Sequence, residues 1–401
     1  MPHVGSEGYS ISPGCNLYSK VLVMLKNSLH LLWFAGFSLL FLSGCGETND
    51  SSQSGSANVG SAGGAGAAQT MRRIILLNNT ESPFWDAARA GIAKAVEDLK
   101  LQDKGFTAAM DNNTGAEEGQ IERLRQYGTQ DDIAAVIISP TSATNPAIAD
   151  ELKKLKEKGV IIGCFDSDLD EKIRSVREFY VGTDNIKGGR VLGTAAKNLR
   201  PDGGEYVQFV GLDGQQNAYQ RMDGFQSAVG EKHVQKDRRV DNEDRARARD
   251  NVRDSIDQNP NLNILVGIWS YNAPAIVDVV KEKNVRGKFT IVTFDAEPLA
   301  IEQMSNGMID AMVVQNPFAM GYDSVKYAFA KLTGNDAAIA ELFPNMKEPG
   351  GNIRDTGLKV VIPDSGSPLM PEMFNEFGPS VVFMKLSEFK AWLAEYKLTS
   401  S

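Results

Sequence analysis

Phe289-Thr290-Ile291-Val292-Thr293-Phe294-Asp295 reads as a short buried strand that runs straight into a carboxylate. Val160-Ile161-Ile162-Gly163-Cys164-Phe165-Asp166 repeats the pattern and also ends in Phe-Asp. Continuous apolar runs of this length, flanked by helical patterns, predict parallel strands covered on both faces. In open α/β sheets, ligands sit beyond the carboxyl ends of such strands. Asp166 and Asp295 therefore stand where chemistry or binding is expected, as a catalytic pair or as a binding clamp.

Outward from these two runs the chain alternates. Strand-like stretches at 74–79, 106–111, 134–140 and 160–166 are separated by helical patterns at 84–100, 116–127 and 145–158. In the first helix Ala88, Ile92, Ala95, Val96 and Leu99 recur at helical spacing, and Gly159 stops the third. After a less regular stretch, 167–178, the pattern restarts. Strands are predicted at 179–183, 206–210, 234–240, 264–269 and 289–295, with helices at 188–198, 216–229, 245–258 and 273–283. A short helix near 299–306, a strand at 308–314, a helix at 320–332 and a strand at 358–362 follow. The tail at 387–397 reads as a helix with Phe389, Trp392, Leu393 and Tyr396 on one face. Two consecutive β-α sets predict an α/β fold of two doubly wound parallel-sheet lobes.

The first 70 residues read differently. Lys20 and Lys26 precede an apolar run at 29–42 that ends in Leu42-Ser43-Gly44-Cys45. A basic region, a short apolar core and small residues before a cysteine predict a secretory signal peptide, with Met24 as a plausible start. Leu-Ser-Gly-Cys resembles a bacterial lipobox, which implies cleavage before Cys45 and its lipidation. Residues 46–70, rich in Gly, Ser and Ala, predict a flexible tether with a mean reach of ~25–30 Å. Of the three cysteines, Cys15, Cys45 and Cys164, only Cys45 and Cys164 remain after such processing. Cys164 is expected to be a buried core residue.

The 401 residues carry a net charge of -9, which argues against nucleic acid as a partner. With 42% hydrophobic residues the chain can bury an ample core. His3, His30 and His233 are the only histidines, and two precede Cys45. Metal sites rich in histidine and Ser-His-Asp chemistry are therefore not expected. Phosphate-cradling and nucleophile-elbow motifs are missing, so no cofactor is expected. Asp166-Ser167-Asp168-Leu169-Asp170 alternates acids like a calcium loop. Glu171 and Arg177 stand where glycine and glutamate belong, so the segment reads as a solvated acidic turn with no metal.

What remains is a set of polar and aromatic residues at strand ends. Phe84 and Trp85 follow the first strand; Tyr271 and Gln315 follow later ones; Arg221 lies in a helix. Aromatic faces, carboxylates, a guanidinium and amides suit a polyhydroxylated ligand.

The ordered series Pro83-Phe84-Trp85, Ile138-Ser139-Pro140-Thr141, Val181-Gly182-Thr183-Asp184-Asn185 with Gly188-Gly189, Arg221-Met222-Asp223-Gly224-Phe225 and Thr293-Phe294-Asp295 resembles type I periplasmic sugar-binding proteins of the ribose/galactose group. The resemblance spans residues 72–362. It implies two lobes joined by three crossovers, near 183–185, 315–316 and 356–358. The first lobe comprises 72–183 plus 316–357, the second 184–315 plus 358–365, and 366–401 forms an extension with a helix. It further implies a ligand set of Ser82, Phe84, Trp85, Asp166, Arg221, Tyr271, Asp295 and Gln315. Phe84 and Trp85 stack on the sugar, Asp166 and Asp295 bind its hydroxyls, and Arg221 donates. The chain departs from the ribose branch at Ser82, Ser167, Tyr271 and near Glu243. These departures change the donor count, and the implied ligand is a pentose, hexose or related polyol.

The function expected is a monomeric, lipid-anchored substrate-binding protein in the periplasm or cell envelope, delivering a sugar to ABC transporter permease subunits. It is not expected to be an enzyme. A receptor feeding a membrane sensor is the alternative. A glycosidase built on Asp166 and Asp295, or a sugar-responsive transcription regulator, ranks lower. The regulator needs a basic DNA-binding segment where this chain has its leader and tether.

Overall fold

The computed structural model describes residues 71–401. The leader, Cys45 and the tether lie outside the described residues. Within these bounds the chain builds two sheets. The first takes β1 (Arg72–Leu77), β2 (Phe106–Asp111), β3 (Ile133–Ile138), β4 (Ile161–Asp166) and β5 (Phe179–Gly182). The second takes β6 (Gly204–Val210), β7 (His233–Val240), β8 (Leu262–Gly267), β9 (Thr290–Phe294) and β10 (Ala311–Val314). Of the last three strands, β11 (Ile353–Asp355) joins the first sheet, and β12 (Leu358–Ile362) and β13 (Val381–Lys385) join the second.

The strand orders are β11-β5-β4-β3-β1-β2 and β13-β12-β10-β9-β8-β6-β7. Five consecutive strands are thus wound the same way in each lobe, with parallel pairing throughout. Among the described residues, only β10 and β12 pair antiparallel. The winding reverses direction between β1 and β3 and again between β6 and β8. Each reversal opens a crevice at the carboxyl ends of its strands.

Side-chain alternation explains the layers. Ile74 and Leu76 of β1 enter one buried cluster, and Ile75 and Leu77 enter the cluster on the opposite face. Helices Phe84–Asp98 and Pro317–Thr333 cover the first face, Glu117–Gly128 and Pro146–Glu157 the second. The second sheet is sandwiched likewise, by Asn185–Leu199 and Gln216–Val229 on one side and Arg245–Gln258 and Asn272–Glu282 on the other. Cys164 is a free thiol buried in β4.

The chain passes between the sheets from β5 to β6, from β10 to β11 and from β11 to β12. These passages are cross-linked. Thr183 Oγ1 donates to Gln315 Oε1 at 2.7 Å, and the Thr356 amide donates to the Gly182 carbonyl at 2.8 Å.

Two segments differ from expectation. The 366–401 stretch contributes more than a helix: β13 lies parallel to β12, and helix Leu386–Glu395 buries Leu386, Phe389 and Leu393 in the core of the second lobe. The acidic turn is not solvated. Asp166, Ser167 and Asp168 are all buried, and Asp168 takes a bidentate pair of hydrogen bonds from Arg177, each 2.6 Å. Burial is tolerated here because every oxygen of Asp168 has a charged donor.

Candidate sugar-binding cleft

β4 ends in Asp166 and β9 is followed directly by Asp295, and both aspartates have left-handed backbone, φ 61°. Aspartate is one of the few residues besides glycine that visits this region, because its short polar side chain can hydrogen-bond locally. The two repeats of Phe-Asp therefore make the same turn. Asp166 belongs to the first sheet's lobe and Asp295 to the second's.

Asp166 Oδ2 accepts from Ser139 Oγ at 3.0 Å and from Asn217 Nδ2 at 3.5 Å. Asp295 is held by Gln315, whose Nε2 lies 3.1 Å from each carboxylate oxygen. Arg221 sits between the acids. Its Nη1 is 3.6 Å from Asp295 Oδ2, its Nε donates to Asn185 Oδ1 at 3.0 Å, and its guanidinium lies 4.1 Å over the Phe294 ring. Burial pushes both Asp166 and Asp295 up to about 6, against the opposing pull of Arg221. Burial also lowers Arg221 from its ordinary value, while the two acids pull it back up.

These groups line a cleft of about 430 Å³ between the lobes. All eight residues expected at the site border it: Ser82, Phe84, Trp85, Asp166, Arg221, Tyr271, Asp295 and Gln315. The Ser82 hydroxyl accepts from the Phe84 amide at 3.2 Å, which fixes the turn before the helix. Phe84 and Trp85 meet edge to face at 4.9 Å, and Trp85 leans on Phe165 at 5.3 Å. Tyr271 presents its ring rather than a free hydroxyl, because that hydroxyl donates to Asp241.

Sequence reasoning missed Asn79, Thr80, Gln215, Asn217, Glu243 and Trp269 at the same cleft. Extending the strand-end rule to the loops after β1, β6 and β7 reaches most of them. Direct bonds join the lobes there: Asn79 Nδ2 to Gln215 Oε1 and Thr80 Oγ1 to Glu243 Oε2, both 3.0 Å, the Asp168 amide to Gln216 Oε1 at 3.2 Å, and the Asn217–Asp166 bond. Several polar atoms that line the cleft are shielded from solvent and have no protein partner. They are Arg221 Nη2, Gln215 Nε2, Asn217 Oδ1, Glu243 Oε1 and Trp269 Nε1. Buried polar groups are nearly always satisfied in folded proteins. An array of unpaired donors and acceptors around one cavity is what a polar ligand completes.

The family model described as "Periplasmic binding protein domain" matches residues 74–336. The chain belongs to this family. Periplasmic binding proteins similar to it include the ribose import binding protein of Bacillus subtilis, 22% identical over 62% of this chain and 76% of that one. The galactofuranose-binding protein of Escherichia coli is 24% identical over 59% of this chain and 75% of that one. Among solved structures, an ABC transporter solute-binding protein from Burkholderia graminis in complex with D-arabinose superposes with a TM-score of 0.64. It is 20% identical and covers 75% of this chain and 99% of its own. That likeness shows the shared two-lobed periplasmic binding protein fold.

Proposed function

We propose that this chain is the substrate-binding lipoprotein of an ABC transporter. It captures a monosaccharide or related polyol between its lobes and delivers it to a membrane permease. The observation that carries this reading is the cleft itself, where Asp166 from one lobe meets Arg221 and Asp295 from the other. Sugar hydroxyls bridge carboxylate oxygens and take donors from the guanidinium and amides. Phe84, Trp85, Trp269 and Tyr271 offer apolar faces for the sugar's C–H surface. The sugars that the similar proteins are named for or bind, ribose, galactofuranose and D-arabinose, support the same class. The ligand contacts are assigned to Ser82, Phe84, Trp85, Asp166, Arg221, Tyr271, Asp295 and Gln315, with Tyr271 acting through its ring.

The signal-like leader and Cys45 support a lipid anchor that keeps the protein in the cell envelope as a monomer. The chain binds and releases rather than reacts, and closure of the lobes is the state a permease reads. Isothermal titration with pentoses, hexoses and polyols tests this. Saturable 1:1 binding of at least one is expected; silence across the whole panel contradicts it.

A further inference from the structure

The cleft's charge is unbalanced. Four carboxylates line it, Glu81, Asp166, Glu243 and Asp295, against two guanidinia, Arg221 and Arg245. Both guanidinia already have acidic neighbours. Arg221 lies 3.6 Å from Asp295, and Arg245 lies 3.3 Å from Glu297. No lysine or histidine is among the lining residues. A neutral sugar supplies hydroxyl donors but leaves this excess in place.

Glu243 is where the excess concentrates. Asn242 and Glu243 both have left-handed backbone, φ 55° and 63°, in the loop after β7. Glu243 Oε2 accepts from Thr80 of the opposite lobe, while Oε1 is shielded from water and receives no donor. A shielded carboxylate oxygen without a partner is costly. Three other side chains point independently to a ligand in this cavity. Arg221, Gln215 and Asn217 are 1%, 1% and 4% exposed, and each keeps an unpartnered polar atom.

We propose that the cleft takes a sugar or polyol bearing a protonated amine, with the Glu243 carboxylate as its counter-ion. This rests on the sugar-binding reading and narrows it. An ammonium carries the missing charge and three donors, where a hydroxyl carries one donor. Hydrogen bonds between ionised partners are roughly twice as strong as neutral ones. Trp269 lines the same cleft and can stack a cation, whereas one face of Tyr271 already carries the Arg245 guanidinium, 5.2 Å from its centroid.

The test is isothermal titration of the full chain near pH 7. D-glucosamine, D-galactosamine and D-mannosamine are each measured beside the parent hexose and the N-acetyl derivative, which removes the charge. At least one amine is expected to bind about tenfold or more tightly than its parent, with the N-acetyl form losing that advantage. Within the Glu243→Gln variant, which keeps the side-chain shape, the amine's roughly tenfold advantage over its parent hexose is expected to vanish. Circular dichroism checks that the variant is folded. Parent sugars binding as well as the amines, or an amine preference that survives Glu243→Gln, overturns this inference and leaves the sugar reading standing. Failure of charged and neutral sugars alike overturns the sugar reading and this inference with it.

Discussion

Asp166 and Asp295 are each 3% exposed, and burial raises both to about 6 from an ordinary 3.8. The folded, empty protein therefore holds these protons more tightly than the unfolded chain does. Their contribution to stability is fully present below pH 4 and is lost as pH rises through 6. One such group disfavours the empty cleft at neutral pH by on the order of 3 kcal/mol. Sugar hydroxyls donate to the ionised carboxylates and so favour that form. Binding near pH 6 is expected to release protons, and affinity is expected to fall as pH drops from 7.5 to 5. Titration in buffers of different ionisation enthalpy reads the released protons directly. Proton uptake, or an affinity flat across this range, contradicts the assignment. These two acids were legible in the sequence because each ends an apolar run. Glu243, Gln215 and Asn217 were not, because a polar residue after a strand looks the same whether it faces water or a cleft. Asp168 and Arg177 were misread for the same reason: their mutual pairing is invisible without the fold.

Between elements, glycines set how closely helices approach the site. In helix Asn185–Leu199, a Cβ at Gly189 lies 2.1 Å from the Arg221 carbonyl oxygen. In helix Phe84–Asp98, a Cβ at Gly91 lies 2.0 Å from the Phe318 carbonyl oxygen. Alanine in either position gains about 1 kcal/mol of helix propensity. The clash with backbone costs ~1–3 kcal/mol or more and wins. Both Gly189→Ala and Gly91→Ala are expected to lower the urea midpoint. Gly189→Ala presses on the Arg221 backbone itself and Gly91→Ala on the helix that carries Phe84 and Trp85, so each is expected to weaken ligand binding, Gly189→Ala by about tenfold. Native affinity in Gly189→Ala contradicts this. The ten strands that wind the two lobes were legible from apolar runs and intervening helical spacing. β11 and β13 were not. β11 has only three residues at a sheet edge, and β13 is mostly half-exposed, so neither shows a continuous apolar run. Their place shows only through their partners, β5 and β12. The tail that includes β13 is part of the second lobe's core. Phe389→Ala, at a fully buried ring, is expected to cost about 3–5 kcal/mol in chemical denaturation. A loss under ~1 kcal/mol is what a peripheral tail gives.

Among the described residues, the two lobes meet at the crossings, around the cleft's rim and floor, and at the tail, where Tyr396 packs against Phe318 at 5.1 Å. Asn79 bonds Gln215, Thr80 bonds Glu243, and Ser400 Oγ donates to the Pro83 carbonyl at 2.9 Å. Ser401 pairs with Ala296 through both backbone groups, 2.8 and 3.2 Å, and so brings the tail beside Asp295. The cleft is thus assembled from two bodies, and each supplies one of the two strand-end aspartates. An enzyme's acid pair can lose one member and still bind substrate through the rest of the site. A clamp that needs both jaws cannot. The decisive measurement is isothermal titration of Asp166→Ala and Asp295→Ala, each shown folded by circular dichroism, with whichever sugar the native protein binds. Each loss is expected to reduce affinity by about 100-fold or more, the ~3 kcal/mol of a hydrogen-bonded charged group. Native affinity retained by either variant contradicts the two-jaw clamp.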